Sequence, residues 1–453
     1  MIVLQNQRAL NVFDVVIITL VPNFGIRSLS IAAGIGPSSL IFWLIGALFF
    51  LFPLAIICAQ LSRAYPQEGG LYAWTLNVLG EQSGFVVAWL YWLANIFYYP
   101  AVLIFLATNI AYFLGKPELA LSKTYITLTV LLVFWVIVLI SLLGVKRNKY
   151  ILDFCGIAGI IIPILVLIGF GFSTYFIFGT VATTFVWHNF IPDNHIVHNL
   201  SSLTMIMFAM AGIEVSTTFA NSVKNAKHNL YLGLLVGCGI MFILYVLGTF
   251  SMNILAAPST IQKTSGLMHV FTIISQTYHL TYLTRMIIFL LVFSQIAAII
   301  VWLLAPIIMF FKCTPQGILP KWLHKSDKNG TPVNALLFQG ILVSLIIVLT
   351  NFLSSVNDMY QVLLLVTTVI AFIPYLFLVV VYLKARIRVN RIFSYVVGYS
   401  LFLSLLLAII VSYIPTPELK TTHAIMIYES ELIIGPVFFI ILGWLLYKLK
   451  RDH

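Results

Sequence analysis

Residues 15–34 read V-V-I-I-T-L-V-P-N-F-G-I-R-S-L-S-I-A-A-G. The run is apolar enough to span a bilayer, yet Pro22, Asn23 and Gly25 stand near its middle and a charge, Arg27, follows. Proline removes a backbone donor, glycine loosens a helix, and asparagine competes for backbone hydrogen bonds. The stretch therefore reads as a membrane helix interrupted at depth. A second stretch has the same character. Residues 207–221, M-F-A-M-A-G-I-E-V-S-T-T-F-A-N, carry Gly212 and Glu214 inside an apolar run. Irregular backbone at membrane depth is tolerated only where it lines a cavity or is buried in protein. An intramembrane ionisable residue is a functional candidate by default.

The rest of the chain fits this reading. Of 453 residues, 61% are hydrophobic and 8% charged, against about 25% charged in soluble domains. Mean hydropathy is +1.07. A soluble domain, a disordered chain and a nucleic-acid binder are excluded, and long apolar runs exclude a β-barrel. The fold class is an all-α polytopic membrane protein. Hydropathy gives twelve spans, near 11–33, 39–62, 84–114, 124–144, 151–178, 200–221, 230–255, 283–311, 333–353, 359–383, 393–414 and 430–449.

The net charge of +11 is a matter of topology. With the N-terminus in the cytoplasm, all but six of the 24 Lys and Arg fall on the cytoplasmic side. The exceptions are Arg27, Lys116, Lys123, Lys263, Arg285 and Lys420. The positive-inside rule then puts both termini in the cytoplasm. No cleavable signal peptide is expected, since Arg8 leads into an apolar run without an A-x-A site. Cys58, Cys155, Cys238 and Cys313 lie in or beside apolar runs, so no disulfide is expected. Loop 179–199 carries His188, His195 and His198 near one aspartate, Asp193. Without a fourth ligand this reads as a polar outer loop, and no metal is assigned.

Two interrupted helices five spans apart point to an inverted-repeat transporter. Repeat one runs over about 11–178, repeat two over about 200–383, and additional helices occupy about 393–449. Half-helix ends and freed N–H groups can hold a carboxylate without a basic side chain. Arg27 can attract an anionic substrate side chain, pair with Glu214, or snorkel to the nearby outer surface; Glu214 itself can be a coupling group or a structural partner of a hydroxyl or N–H. Pro53, Pro100, Pro163, Pro374 and Pro436 read as simple kinks.

Three stretches together carry a family resemblance. Residues 59–89, A-Q-L-S-R-A-Y-P-Q-E-G-G-L-Y-A-W-T-L-N-V-L-G-E-Q-S-G-F-V-V-A-W, hold P-x-x-G-G-x-Y before span 3. Residues 211–230 hold G-I-E and then K-N-A-K, with Ala226 where a proline is usual. Trp302 is followed by G-I-L-P and G-T-P, ending at Asn334. In this order on a twelve-span frame they resemble the amino acid–polyamine–organocation (APC) superfamily. Residues 40–106 look most like its glutamate/GABA antiporter branch, through F-W-L-I-G-A-L-F-F-L-F-P-L-A, E-G-G-L-Y-A-W and W-L-Y-W-L-A-N-I-F-Y-Y-P. The chain given stops at His453, so a C-terminal plug known in that branch is not expected.

The resemblance implies a LeuT-type 5+5 inverted repeat with broken helices 1 and 6. It places an amino acid between spans 1, 3, 6, 8 and 10. The substrate carboxylate would meet Pro22, Asn23, Phe24, Gly25 and Ile26, and its amino group the carbonyls around Phe208, Ala209, Ala211 and Gly212. Phe208 and Trp302 match aromatic gates, apt for an ammonium group through cation–π attraction. Coupling or gating candidates are Glu214, Arg27, Tyr91 and Asn95, with Trp92 a further pocket candidate. Tyr98, Tyr99, Tyr112 and Trp89 are assigned to packing.

Span 5 has no lysine, only Asp153, which favours exchange over lysine-based proton symport. No G-x-x-x-x-G-K-[ST] is present, so ATP does not drive transport directly. Nor does H-E-x-x-H or G-x-S-x-G occur, which argues against an enzyme. The expectation is an amino acid antiporter, monomer or homodimer, in a bacterial inner membrane, with no cofactor. Alternatives are a proton-coupled amino acid or polyamine symporter, or a transporter-like nutrient sensor.

Overall fold

The computed structural model describes residues 10–65, 70–142, 149–191, 196–217, 223–307, 310–311, 318–325, 332–353, 355–385, 387, 390–414 and 422–451. The side chains of Asp153, Cys155, His198 and Ala226 lie outside the described residues, as do His195, Cys313 and the Gly330 and Thr331 of the G-T-P segment.

The principal helices follow the apolar runs. They are α1 Val12–Asn23, α2 Ser28–Ile35, α3 Ser39–Ala64, α4 Gly70–Leu79, α5 Glu81–Phe113, α6 Lys123–Leu142, α7 Lys149–Phe178 and α8 Ile196–Ala209. Then come α9 Ile213–Ser216, α10 Ala226–Leu255, α11 Gly266–Thr277, α12 Leu283–Ile307, α13 Val333–Leu349, α14 Val356–Lys384, α15 Arg391–Ser412 and α16 Thr422–Arg451. Among the described residues the only β-pairing is a bridge between Leu10 and Val223. Nine helices there are long and apolar enough to cross a membrane, ten if the bent pair α1 and α2 is one span.

The first interruption falls where the sequence puts it. The capping box of Asn11 and Asp14 starts α1, satisfying two otherwise orphaned backbone donors. Helix α1 runs through Pro22, ends at Asn23, and resumes as α2 after a 70° bend. Helix α1 lies close against α10 because Gly233 and Gly237, four residues apart, present no side chain to it. A Cβ at Gly233 would stand 2.6 Å from Val15, and one at Gly237 3.0 Å from Thr19. Such small-residue spacing lets helix backbones approach where no water drives association.

Helices α5 and α14 make the most extensive helix pair of the core. Both contain prolines, Pro100 and Pro374, within continuous helix. Helix α5 runs antiparallel to α12, since Phe85 meets Phe310 while Tyr99 donates to the Trp302 carbonyl at 3.0 Å. Helix α11 is unlike the others. Its apolar residues Leu267, Phe271 and Ile274 recur at helical spacing and are buried, with His269, Thr272 and Ser275 half-buried and only Gln276 and Thr277 exposed.

Candidate substrate site

Proline 22 cannot donate to the carbonyl of Ile18, four residues earlier. That carbonyl instead accepts from Ser216 Oγ at 3.3 Å, so the defect in the first interruption is covered by the second. Beyond Asn23 the backbone leaves the helix. The Phe24 N–H still reaches Leu20 O at 2.8 Å, and the Gly25 N–H donates to the Tyr245 hydroxyl at 2.9 Å. The amides of Ser28, Leu29 and Ser30 turn back to the carbonyls of Gly25, Ile26 and Arg27. The N–H groups of Ile26 and Arg27 are left without an acceptor among the described residues.

The second interruption turns on one residue. Gly212 sits at φ +97°, ψ −2° between α8 and α9, in the left-handed region that favours glycine. Its N–H donates to the Tyr375 hydroxyl at 3.1 Å. A Cβ here would stand 2.5 Å from Asn23 Oδ1, so the two interruptions touch. Asn23 Nδ2 donates to Thr19 O at 2.8 Å, and its buried Oδ1 has no donor. Tyr245 on α10 joins the two breaks: the hydroxyl that accepts from Gly25 donates to Ala209 O at 2.8 Å. Its ring stacks on Trp43 at 4.3 Å and packs on Phe24 at 4.5 Å, which holds the hydroxyl in place.

Glu214 is 3% exposed. Its two oxygens accept from separate tyrosines, Oε1 from Tyr91 at 3.1 Å and Oε2 from Tyr375 at 2.9 Å. Arg27 does not pair with it. Arg27 Nη2 donates to the Tyr98 hydroxyl at 2.6 Å, with the guanidinium 5.0 Å from the Tyr98 ring centroid. Tyr98 in turn meets Phe208 edge to face at 5.7 Å.

These groups surround one cavity of about 130 Å³, room for on the order of ten water-sized groups. All fourteen residues singled out in the sequence line it: Pro22, Asn23, Phe24, Gly25, Ile26, Arg27, Tyr91, Asn95, Phe208, Ala209, Ala211, Gly212, Glu214 and Trp302. Three assignments change. Tyr98 and Tyr99, read as packing residues, also line the cavity. Trp92 turns away from it and donates to Gln339 Oε1 at 2.7 Å. Trp89 keeps its packing role, donating to Phe439 O at 2.9 Å. Tyr375, Ser294, Gln295 and Thr367 were not foreseen. Nothing in the local pattern of a continuous apolar helix marks them; only the rule that site residues come from spans 8 and 10 pointed to their helices.

A family model described as amino acid permease matches residues 10–439. The chain belongs to this family, within the APC superfamily. This amino acid permease is 27% identical to an uncharacterized transporter of Legionella pneumophila, over 99% of this chain and 98% of the relative. It is 25% identical to a glutamate/gamma-aminobutyrate antiporter of Lactococcus lactis, over 91% and 85%. A probable agmatine/putrescine antiporter of the same species is 27% identical over 92% and 90%. The permease is an integral membrane transporter, not an enzyme.

Proposed function

We propose that the permease is an amino acid antiporter working by alternating access, with its substrate in the cavity between the two interrupted helices. The observation that carries this reading is the meeting of the interruptions: Gly212 against Asn23, with Tyr245 bonded to both. The open N–H groups of Ile26 and Arg27 suit the substrate carboxylate. The carbonyls of the second break, with Phe208 and Trp302 beside them, suit its ammonium group. Coupling then follows from geometry. A ligand bound to both breaks stabilises the arrangement in which they meet, and an empty site does not recross.

The wider architecture belongs to the same proposal. It has twelve spans in a LeuT-type 5+5 inverted repeat, with repeats at about 11–178 and 200–383 and additional helices at about 393–449. Both termini lie in the cytoplasm of a bacterial inner membrane. The polar-residue placement leaves one competing reading. Glu214 is an acid buried in the site, so a proton-coupled symporter of amino acids or polyamines is the alternative.

The test is reconstitution in liposomes. Amino acids and polyamines are screened for exchange against a labelled preloaded pool, with and without a pH gradient. Antiport requires exchange that needs substrate inside and does not need the gradient. Uptake into empty liposomes that collapses with the proton gradient would replace antiport by symport. Binding without saturable counterflow would make the protein a sensor.

A further inference from the structure

A second cavity, of about 310 Å³, opens between α5, α14 and α16. It shares no lining residue with the substrate site. Its walls are apolar over most of their length: Val86 from α5, Phe377 from α14, and Ile440 and Ile441 from α16. Ile441 and Trp444, the last wall residue on α16, are exposed, so the groove opens sideways from the bundle. One end is polar. Gln82 and Ser83, at the start of α5, line it, and neither side chain has a hydrogen-bond partner among the described residues.

The same end carries positive charge. Helices α5 and α16 run antiparallel, since Trp89 donates to Phe439 O while Phe85 packs on Tyr447 at 5.7 Å. Lys448 therefore falls at the level where α5 begins. It stands one turn beyond Trp444, with Nζ 5.0 Å from the Trp444 ring centroid. Cation–π attraction thus holds the ammonium against the groove wall. Lys384 ends α14 two turns beyond Phe377, on the same helix face. Both lysines are exposed, and neither pairs with a carboxylate among the described residues. Against them stands one acid, Glu81, the first residue of α5.

We propose that this groove binds one anionic phospholipid, its phosphate at the lysine end and an acyl chain along the apolar walls. An apolar slot that opens sideways admits a hydrocarbon chain, which a soluble anion lacks. Basic pockets between membrane helices suit anionic headgroups. Gln82 and Ser83 add neutral donors for the phosphate and glycerol oxygens. A zwitterionic lipid would bring a second cation beside Lys448. A second copy packed here by a two-fold axis would set like charges together. In the orientation proposed above, the lysines face the leaflet that carries anionic lipid. The lipid braces helices that build the substrate site, because α5 and α14 carry Tyr91, Tyr98 and Tyr375.

The experiment reads binding without transport, so its failure is separate from failure of the antiporter reading. Full-length permease is reconstituted in phosphatidylcholine vesicles with rising fractions of phosphatidylglycerol, bromine being placed on the acyl chains of one lipid or the other. Bromine quenches nearby tryptophan, and Trp444 stands in the groove wall. Brominated phosphatidylglycerol is expected to give a saturable quenching phase that brominated phosphatidylcholine does not show. Trp444→Phe is expected to remove that phase while the protein stays monodisperse in detergent. Lys448→Gln is expected to raise the half-saturating fraction about fivefold, and Lys384→Gln to shift it the same way, as for single basic residues near an anionic surface. Equal quenching by the two lipids overturns the proposal. So does a saturable phase that survives Trp444→Phe, or one that neither lysine substitution shifts. Cross-linking between two copies of Trp444→Cys, absent in wild type, would assign the groove to a dimer contact and overturn it as well.

Discussion

The two interruptions achieve the same end by different means. The first is spread over four residues, Phe24 to Arg27, with no left-handed backbone. Its proline leaves a carbonyl to be covered from elsewhere, and its last two amides stay open. The second is concentrated in Gly212, whose backbone only glycine adopts without strain. Its N–H is closed by Tyr375. The first break is thus a donor surface with slack, and the second a rigid hinge point tied to a carboxylate. In this fold breaking a helix is easy; what distinguishes the breaks is which polar groups their neighbours leave uncovered.

The largest effect should come from Gly212→Ala. The left-handed conformation costs a non-glycine residue about 1–2 kcal/mol, and the new Cβ stands 2.5 Å from Asn23 Oδ1. Exchange in liposomes should fall about tenfold or more, since a 1.4 kcal/mol change is already a factor of ten. Tyr375→Phe comes next. It strips a donor from Glu214 and an acceptor from the Gly212 N–H, at about 1–3 kcal/mol. A lowered thermal unfolding midpoint in detergent checks it, and Tyr91 alone must then hold the carboxylate.

Tyr245→Phe should cost less, because the groups it abandons, the Gly25 N–H and the Ala209 carbonyl, are neutral. About 1 kcal/mol is expected, read as a smaller fall in the same midpoint with the apparent substrate KM raised. Gly25→Ala is the weakest. The nearest atom to its Cβ would be Ser28 Oγ at 3.5 Å, an ordinary contact. Its exchange rate should stay within about twofold of wild type, as for most substitutions outside packed or strained positions. If Gly25→Ala is as damaging as Gly212→Ala, the contrast between the breaks is lost.

Much of this was legible in the sequence, for identifiable reasons. Pro22, Asn23 and Gly25 announce the first break because each weakens a helix by its own chemistry. Gly212 and Glu214 stand out because charge in an apolar run is rare. The tyrosines were harder. Tyr98 and Tyr375 sit in continuous apolar helices, where an aromatic residue fits packing equally well. Their role follows from which hydroxyl meets which partner, a property of the assembled bundle. Gln295 was hidden for the same reason. Of the readings open for Arg27, the pair with Glu214 does not form, because proximity to two touching breaks does not fix which partner a long side chain meets. The tyrosines that hold the two groups, Tyr91 and Tyr98, stand seven residues apart on α5.

The central claim is that the two breaks meet to form one substrate site. Counterflow of labelled amino acid by Gly212→Ala and Gly25→Ala, reconstituted in parallel with wild type, tests it most directly. The account predicts saturable exchange in wild type, near-normal exchange in Gly25→Ala and loss in Gly212→Ala despite normal insertion in the liposomes. Exchange by Gly212→Ala at the wild-type rate and KM would contradict it.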